Sequence, residues 1–116
     1  MIEFEKTYLA KYIPVDLNNY PSKTITDRYI PVDSNHPVLR LRNSGGKFTL
    51  TKKYPVRDGD ASSQIEETII LSEKEARVLE KIEAKAVSKT RFYYNYCDNP
   101  LEIDVFKEEL SGLIMI

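Results

Sequence analysis

The chain has 116 residues, room for one compact domain. Its 17 Lys and Arg against 18 Asp and Glu leave a net charge of −1, which excludes a broadly basic binder and an acidic disordered tail. The single Cys97 and single His36 exclude an intramolecular disulfide framework and a Cys/His zinc site.

Apolar runs are only a few residues long, so no membrane-spanning helix is expected. The opening residues Met1-Ile2-Glu3-Phe4-Glu5 lack a basic segment followed by an apolar stretch. These features lead to the expectation of a cytoplasmic location. No repeat and no linker is visible, so residues 1–116 are expected to form a single domain.

Short alternation between turn signals predicts strands at Ile2–Ala10, Lys23–Ile30, Pro37–Arg42, Lys47–Tyr54, Gln64–Leu71, Val87–Tyr96 and Leu101–Phe106. Pro14–Tyr20 reads as a short helix or irregular crossover. Asn43-Ser44-Gly45-Gly46 is a hairpin signal, because glycine accepts positive φ. Arg57-Asp58-Gly59-Asp60 reads as a polar loop. Ser72–Ala84 is a predicted helix: Ser72 with Glu75 forms a capping box, and Ala76, Leu79, Ile82 and Ala86 give an apolar stripe. Asp98-Asn99-Pro100 is expected to turn the chain. Together these elements predict a β-rich α+β domain dominated by antiparallel sheet.

Successive strand residues point to opposite faces, which sorts the charges. Glu3, Glu5 and Thr7 share one face. Arg40 and Arg42 stand opposite Leu39 and Leu41; Lys47, Thr49, Thr51 and Lys53 stand opposite Phe48 and Leu50. Gln64, Glu66 and Thr68 form another set, as do Lys89, Arg91 and Tyr93, and Glu102, Asp104 and Phe106. The ordinary account of such faces is a solvated sheet surface of mixed charge. Against it, like charges recur as i, i+2 pairs in Glu3/Glu5, Arg40/Arg42 and Lys89/Arg91, whereas a surface selected for solubility mixes signs. If the strands curl into a barrel, the polar face becomes a lumen. Several cations sharing it call for an anion, and a polyphosphate suits guanidinium forks and ammonium groups. A pair of carboxylates on one strand offers hard oxygen ligands for Mg²⁺ or Mn²⁺.

With those residues in view, the chain resembles the CYTH domains of the triphosphate tunnel metalloenzymes, which include class IV adenylyl cyclases, thiamine triphosphatases and inorganic triphosphatases. Their E-x-E-x-K signature is matched by Glu3-Phe4-Glu5-Lys6-Thr7, with Thr7 where the pattern has lysine. Leu39-Arg40-Leu41-Arg42, Leu50-Thr51-Lys52-Lys53, Ile65-Glu66-Glu67-Thr68-Ile69, Ser88-Lys89-Thr90-Arg91-Phe92-Tyr93 and Glu102-Ile103-Asp104-Val105-Phe106 follow in the expected order.

The resemblance implies an antiparallel β-barrel tunnel with outer helices, incomplete because family members continue beyond this point with a further acidic strand. Open strand edges then favour a homodimer. It further implies Glu3 and Glu5 as ligands of Mg²⁺ or Mn²⁺. Arg40, Arg42, Lys53, Lys89 and Arg91 would grip a triphosphate, with Glu66 and Asp104 as lumen acids that orient those bases or help hold a second metal. The implied reaction is metal-dependent hydrolysis of an inorganic, nucleoside or thiamine triphosphate. The alternatives are a polyphosphate- or nucleotide-binding module without catalysis and a class IV-like adenylyl cyclase. Neither a membrane nor a nucleic acid is expected as a partner. His36, in the Ser34-Asn35-His36-Pro37 loop, is expected to be structural or solvated.

Overall fold

A computed structural model describes residues 2–4, 7–56 and 63–116. Its strands are β1 (Ile2–Phe4), β2 (Ser22–Ile30), β3 (Leu39–Ser44), β4 (Lys47–Pro55), β5 (Ser63–Leu71), β6 (Lys85–Tyr96), β7 (Asn99–Phe106) and β8 (Ile114–Met115). One α-helix, α1 (Glu73–Leu79), interrupts them among the described residues. The β-rich, mainly antiparallel architecture expected from the alternation is the one observed. Two compact units are present, one of Met1–Lys6 with Asp27–Ala86 and one of Thr7–Thr26 with Val87–Ile116.

In the first unit the strand order is β1-β5-β4-β3, followed by the Asp27–Ile30 half of β2. The β3–β4 hairpin turns at Gly45 and Gly46, whose φ angles of 59° and 90° are the left-handed values such a two-residue turn demands. Asn43 Oδ1 accepts the Gly46 N–H at 2.9 Å and closes the turn. Register then follows: Arg40 opposes Thr51, Arg42 opposes Thr49, and Thr51 and Lys53 oppose Thr68 and Glu66. The other face carries Leu41 and Phe48, both buried. There α1 packs on β4 and β5 through Ala76, which is fully buried, and Arg77 lies 5.3 Å over the Phe48 ring.

The capping box forms as the sequence predicts. Ser72 Oγ accepts the Glu75 N–H at 3.1 Å, and Glu75 accepts the Ser72 N–H at 2.8 Å, which holds the Glu75 carboxyl below its usual range. The helix nevertheless ends at Leu79, short of the expected Ala84. Beyond it the chain is recruited elsewhere: the Ile82 carbonyl accepts the Arg28 guanidinium at 2.9 Å, and Ile82 is 45% exposed, so the apolar stripe stops at its second turn.

In the second unit the Ser22–Thr26 half of β2 is followed by β6, β7 and β8. Ile25 and Ile103 are buried there. The β6–β7 turn is made by Cys97 and Asp98 at φ 49° and 64°, so Asn99 and Pro100 belong to β7 instead of forming the expected bend. Pro14–Tyr20 is mostly irregular, with a 3₁₀ turn at Leu17–Asn19 that buries Leu17. The first predicted strand is shorter than expected. Strand geometry is seen at Ile2–Phe4, and Leu9 forms only an isolated bridge to Met115.

Candidate anion-binding site

The polar face of the first unit is buried at its centre, although Lys47 and Thr68 on the same face are exposed. Asp27 and Thr51 are each only 1% exposed. A buried carboxylate needs a cation and hydrogen bonds to offset its desolvation. Arg42 supplies both as a two-pronged fork, Nε to Asp27 Oδ1 at 2.7 Å and Nη2 to Oδ2 at 2.8 Å. Two strands along, Thr51 Oγ1 and Thr68 Oγ1 share a hydrogen bond of 2.9 Å, and Thr68 donates to Glu66 at 3.2 Å. Glu66 Oε2 stands 3.9 Å from Lys53 Nζ, close enough for charge attraction but not for a hydrogen bond.

Arg40 lies beside this row, and its Nε is buried without a hydrogen-bond partner among the described residues. Next to it, burial pushes the Tyr29 phenol up, and the negative charge of Asp27 adds to the effect. A cavity of about 480 Å³ opens onto these groups, lined by Tyr29, Arg40, Thr51, Lys53, Gln64 and the Asn35–Val38 loop. Around the buried part of this face Arg40, Arg42 and Lys53 meet two described carboxylates, Asp27 and Glu66, while Lys47 on the same face is exposed. Acids on neighbouring strands thus neutralise part of the charge: Asp27 fixes where Arg42 points, and Glu66 stands near Lys53.

The second unit repeats the device. Asp104, 8% exposed, accepts Lys89 Nζ at 2.8 Å on Oδ2 and the Arg91 fork at 2.8 and 3.0 Å. Register makes this possible, since Arg91 opposes Asp104 directly across β6 and β7. Burial alone would raise the Asp104 carboxyl, but the hydrogen bonds from Arg91 and Lys89 outweigh it and hold the group below its ordinary value. The same pairing holds the Arg91 guanidinium above its ordinary value. Lys89 also sits 5.4 Å over the Phe106 ring, and Arg91 reaches Glu102 at 3.6 Å.

The structure thus brings Arg40, Arg42, Lys53 and Glu66 together in one unit, and Lys89, Arg91 and Asp104 together in the other. Glu3 stands opposite Gln64 in the β1–β5 register, while Glu5 lies outside the described residues. Thr7 is exposed in the second unit. No group of three or more Asp, Glu, His or Cys that could hold a metal forms among the described residues. Sequence reasoning passed over Asp27 and Tyr29. The available signal was parity: β2 places Asp27 on the same face as Ile25, and an acid on an apolar strand face marks a buried, paired charge.

No protein-family model and no curated protein sequence matches the chain. Solved structures do. One described as a hypothetical protein, NE1496, is 24% identical with a TM-score of 0.64, covering 94% of this chain and 70% of its own. A structure of the inorganic triphosphatase NE1496 is 23% identical with a TM-score of 0.65, covering 97% of this chain and 72% of its own. At that identity the likeness shows the fold, a CYTH-like triphosphate tunnel fold.

Proposed function

We propose that this protein is a metal-dependent triphosphatase acting on an inorganic, nucleoside or thiamine triphosphate. The observation that carries the reading is the polar face of the first unit, where Asp27 holds Arg42, Glu66 stands near Lys53, and Arg40 and Lys53 line an open cavity. The fold shared with an inorganic triphosphatase supports it. In this reading the cations bind the phosphate oxygens, and Asp27 and Glu66 offset the repulsion among the bases and hold Arg42 and Lys53 in place. Prepositioned charge of this kind costs no reorganisation when negative charge shifts along the phosphate chain during cleavage. Taken by itself, the second unit offers Lys89 and Arg91, oriented by Asp104, as bases suited to phosphate oxygens.

The carboxylates of Glu3 and Glu5 suit a hard cation such as Mg²⁺ or Mn²⁺, with Glu66 on the strand beside Glu3 as a further oxygen donor. Such an ion neutralises phosphate charge when bound. The test is release of phosphate from tripolyphosphate, ATP and thiamine triphosphate with Mg²⁺, with Mn²⁺ and with chelator. Turnover that requires the metal is expected, and its absence with every substrate would sink the catalytic reading. Thr7 at the position of the signature lysine favours a second reading, a polyphosphate-binding module without turnover. That alternative predicts binding in the same assay mixture with no product.

A further inference from the structure

Lys53 and Lys89 each stand beside an acid on a neighbouring strand, and the two pairs differ. Lys89 Nζ meets Asp104 Oδ2 at 2.8 Å, the length of a charge-assisted hydrogen bond. Lys53 and Glu66 oppose each other directly in the β4–β5 register, yet Lys53 Nζ stands 3.9 Å from Glu66 Oε2. Directly opposed strand residues are close enough for a glutamate and a lysine to close such a gap. Both side chains keep partial exposure, 30% for Lys53 and 21% for Glu66.

A chain of two hydroxyls accounts for the difference. Thr68, two residues along β5 on the same face, donates from Oγ1 to Glu66 Oε1 at 3.2 Å. An ionised carboxylate only accepts, so this bond uses the one hydroxyl proton of Thr68. In the 2.9 Å contact between Thr51 Oγ1 and Thr68 Oγ1, the donor is therefore Thr51. Thr51 opposes Thr68 in register and is 1% exposed, whereas Thr68 is exposed. The buried threonine thus fixes the exposed one, which in turn fixes one oxygen of Glu66. A β-branched side chain with few χ1 options suits that task.

We propose that Thr68, backed by Thr51, is a positioning residue that holds Glu66 off Lys53, so that Lys53 meets a phosphate oxygen without first giving up a hydrogen bond to Glu66. The inference rests on the reading of Lys53 as a phosphate-binding residue. Lys53 and Thr51 line the cavity, and Thr68 acts through Glu66. At 3.9 Å the carboxylate still attracts the ammonium, which steadies the lysine without capping it.

The experiment is calorimetric titration of tripolyphosphate into the full chain, in buffer with EDTA and again with Mg²⁺. The proteins are the wild type, Thr68→Val, Thr68→Ser, Glu66→Gln, the Thr68→Val, Glu66→Gln double variant and Lys53→Ala. Valine suits an exposed strand position, and circular dichroism checks that the fold is kept. Thr68→Val should weaken binding about fivefold, because Glu66 then closes onto Lys53 and the ligand must break that bond. Thr68→Ser should restore the wild-type affinity. With Glu66→Gln already in place, the valine change should alter affinity less than about twofold, whereas a merely structural role would weaken binding in both backgrounds. Wild-type affinity in Thr68→Val, or an equal loss in the Glu66→Gln background, overturns the positioning role while the phosphate site stands. If Lys53→Ala leaves the affinity unchanged, or tripolyphosphate binds in neither buffer, the reading of Lys53 falls and this inference falls with it.

Discussion

Replacing Asp27 with Asn tests whether the buried polar face is held by its ion pairs. Asp27 is 1% exposed, and its two oxygens accept from Arg42 at 2.7 and 2.8 Å. Asparagine keeps one acceptor oxygen, but turns an amide donor toward the guanidinium and removes the negative charge. One charge-assisted hydrogen bond is worth about 1.5–3 kcal/mol. Removing one partner of a fully buried pair costs about 3–5 kcal/mol. The Arg42 side chain retains 15% exposure, so water relieves part of its stranded charge. The expected loss is therefore about 2–3 kcal/mol, set against a total stability of the order of 10 kcal/mol for a chain of this length. In a thermal melt that loss corresponds to about 10 °C. Urea unfolding of the wild type, Asp27→Asn, Arg42→Gln and the double variant should give a coupling energy of about 1.5 kcal/mol or more, read from midpoints at constant m. A coupling below about 0.5 kcal/mol would refute the claim that this pair organises the face.

Two further outcomes follow from the same structure. Asp104 titrates at a lower pH in the folded chain than in the unfolded one. The unfolded state therefore takes up that proton first, and the pair's stabilisation, complete above about pH 4, fades as pH falls below it. Urea midpoints from pH 6 to pH 2 should drop for the wild type, and Asp104→Asn, already less stable at pH 6, should show a shallower drop; parallel curves would contradict the assignment. Gly46→Ala should cost about 1 kcal/mol through its φ of 90° alone, because a Cβ there meets nothing within 4 Å. Chemical denaturation checks it, and a neutral effect would show that the β3–β4 turn does not need the left-handed backbone.

Strand positions and facing were legible because alternation is a local property. Arg40 and Arg42, Lys53, Glu66, and Lys89 and Arg91 with Asp104 all lie on the faces that parity assigns them. The partners of those charges were less legible, because pairing depends on strand order and register. Asp27 reaches Arg42 only because β2 lies next to β3, which no run of residues within either strand announces. The helix was foreseen at its start, where a capping box is local, and overextended at its end. There a distant arginine, Arg28, claims the Ile82 carbonyl. His36 is exposed, as its Ser-Asn-His-Pro loop suggests in sequence; that the loop also borders a cavity depends on the distant anchors of Ser34 and Val38.

The most direct test of the central claim is titration of tripolyphosphate into the wild type and into an Arg40→Ala, Lys53→Ala double variant whose circular dichroism matches the wild type. Each lost charge-assisted contact is worth about 1.5–3 kcal/mol, so the double change should weaken binding by about 100-fold or more. Equal affinity in the two proteins would contradict the assignment of this buried face as the phosphate site.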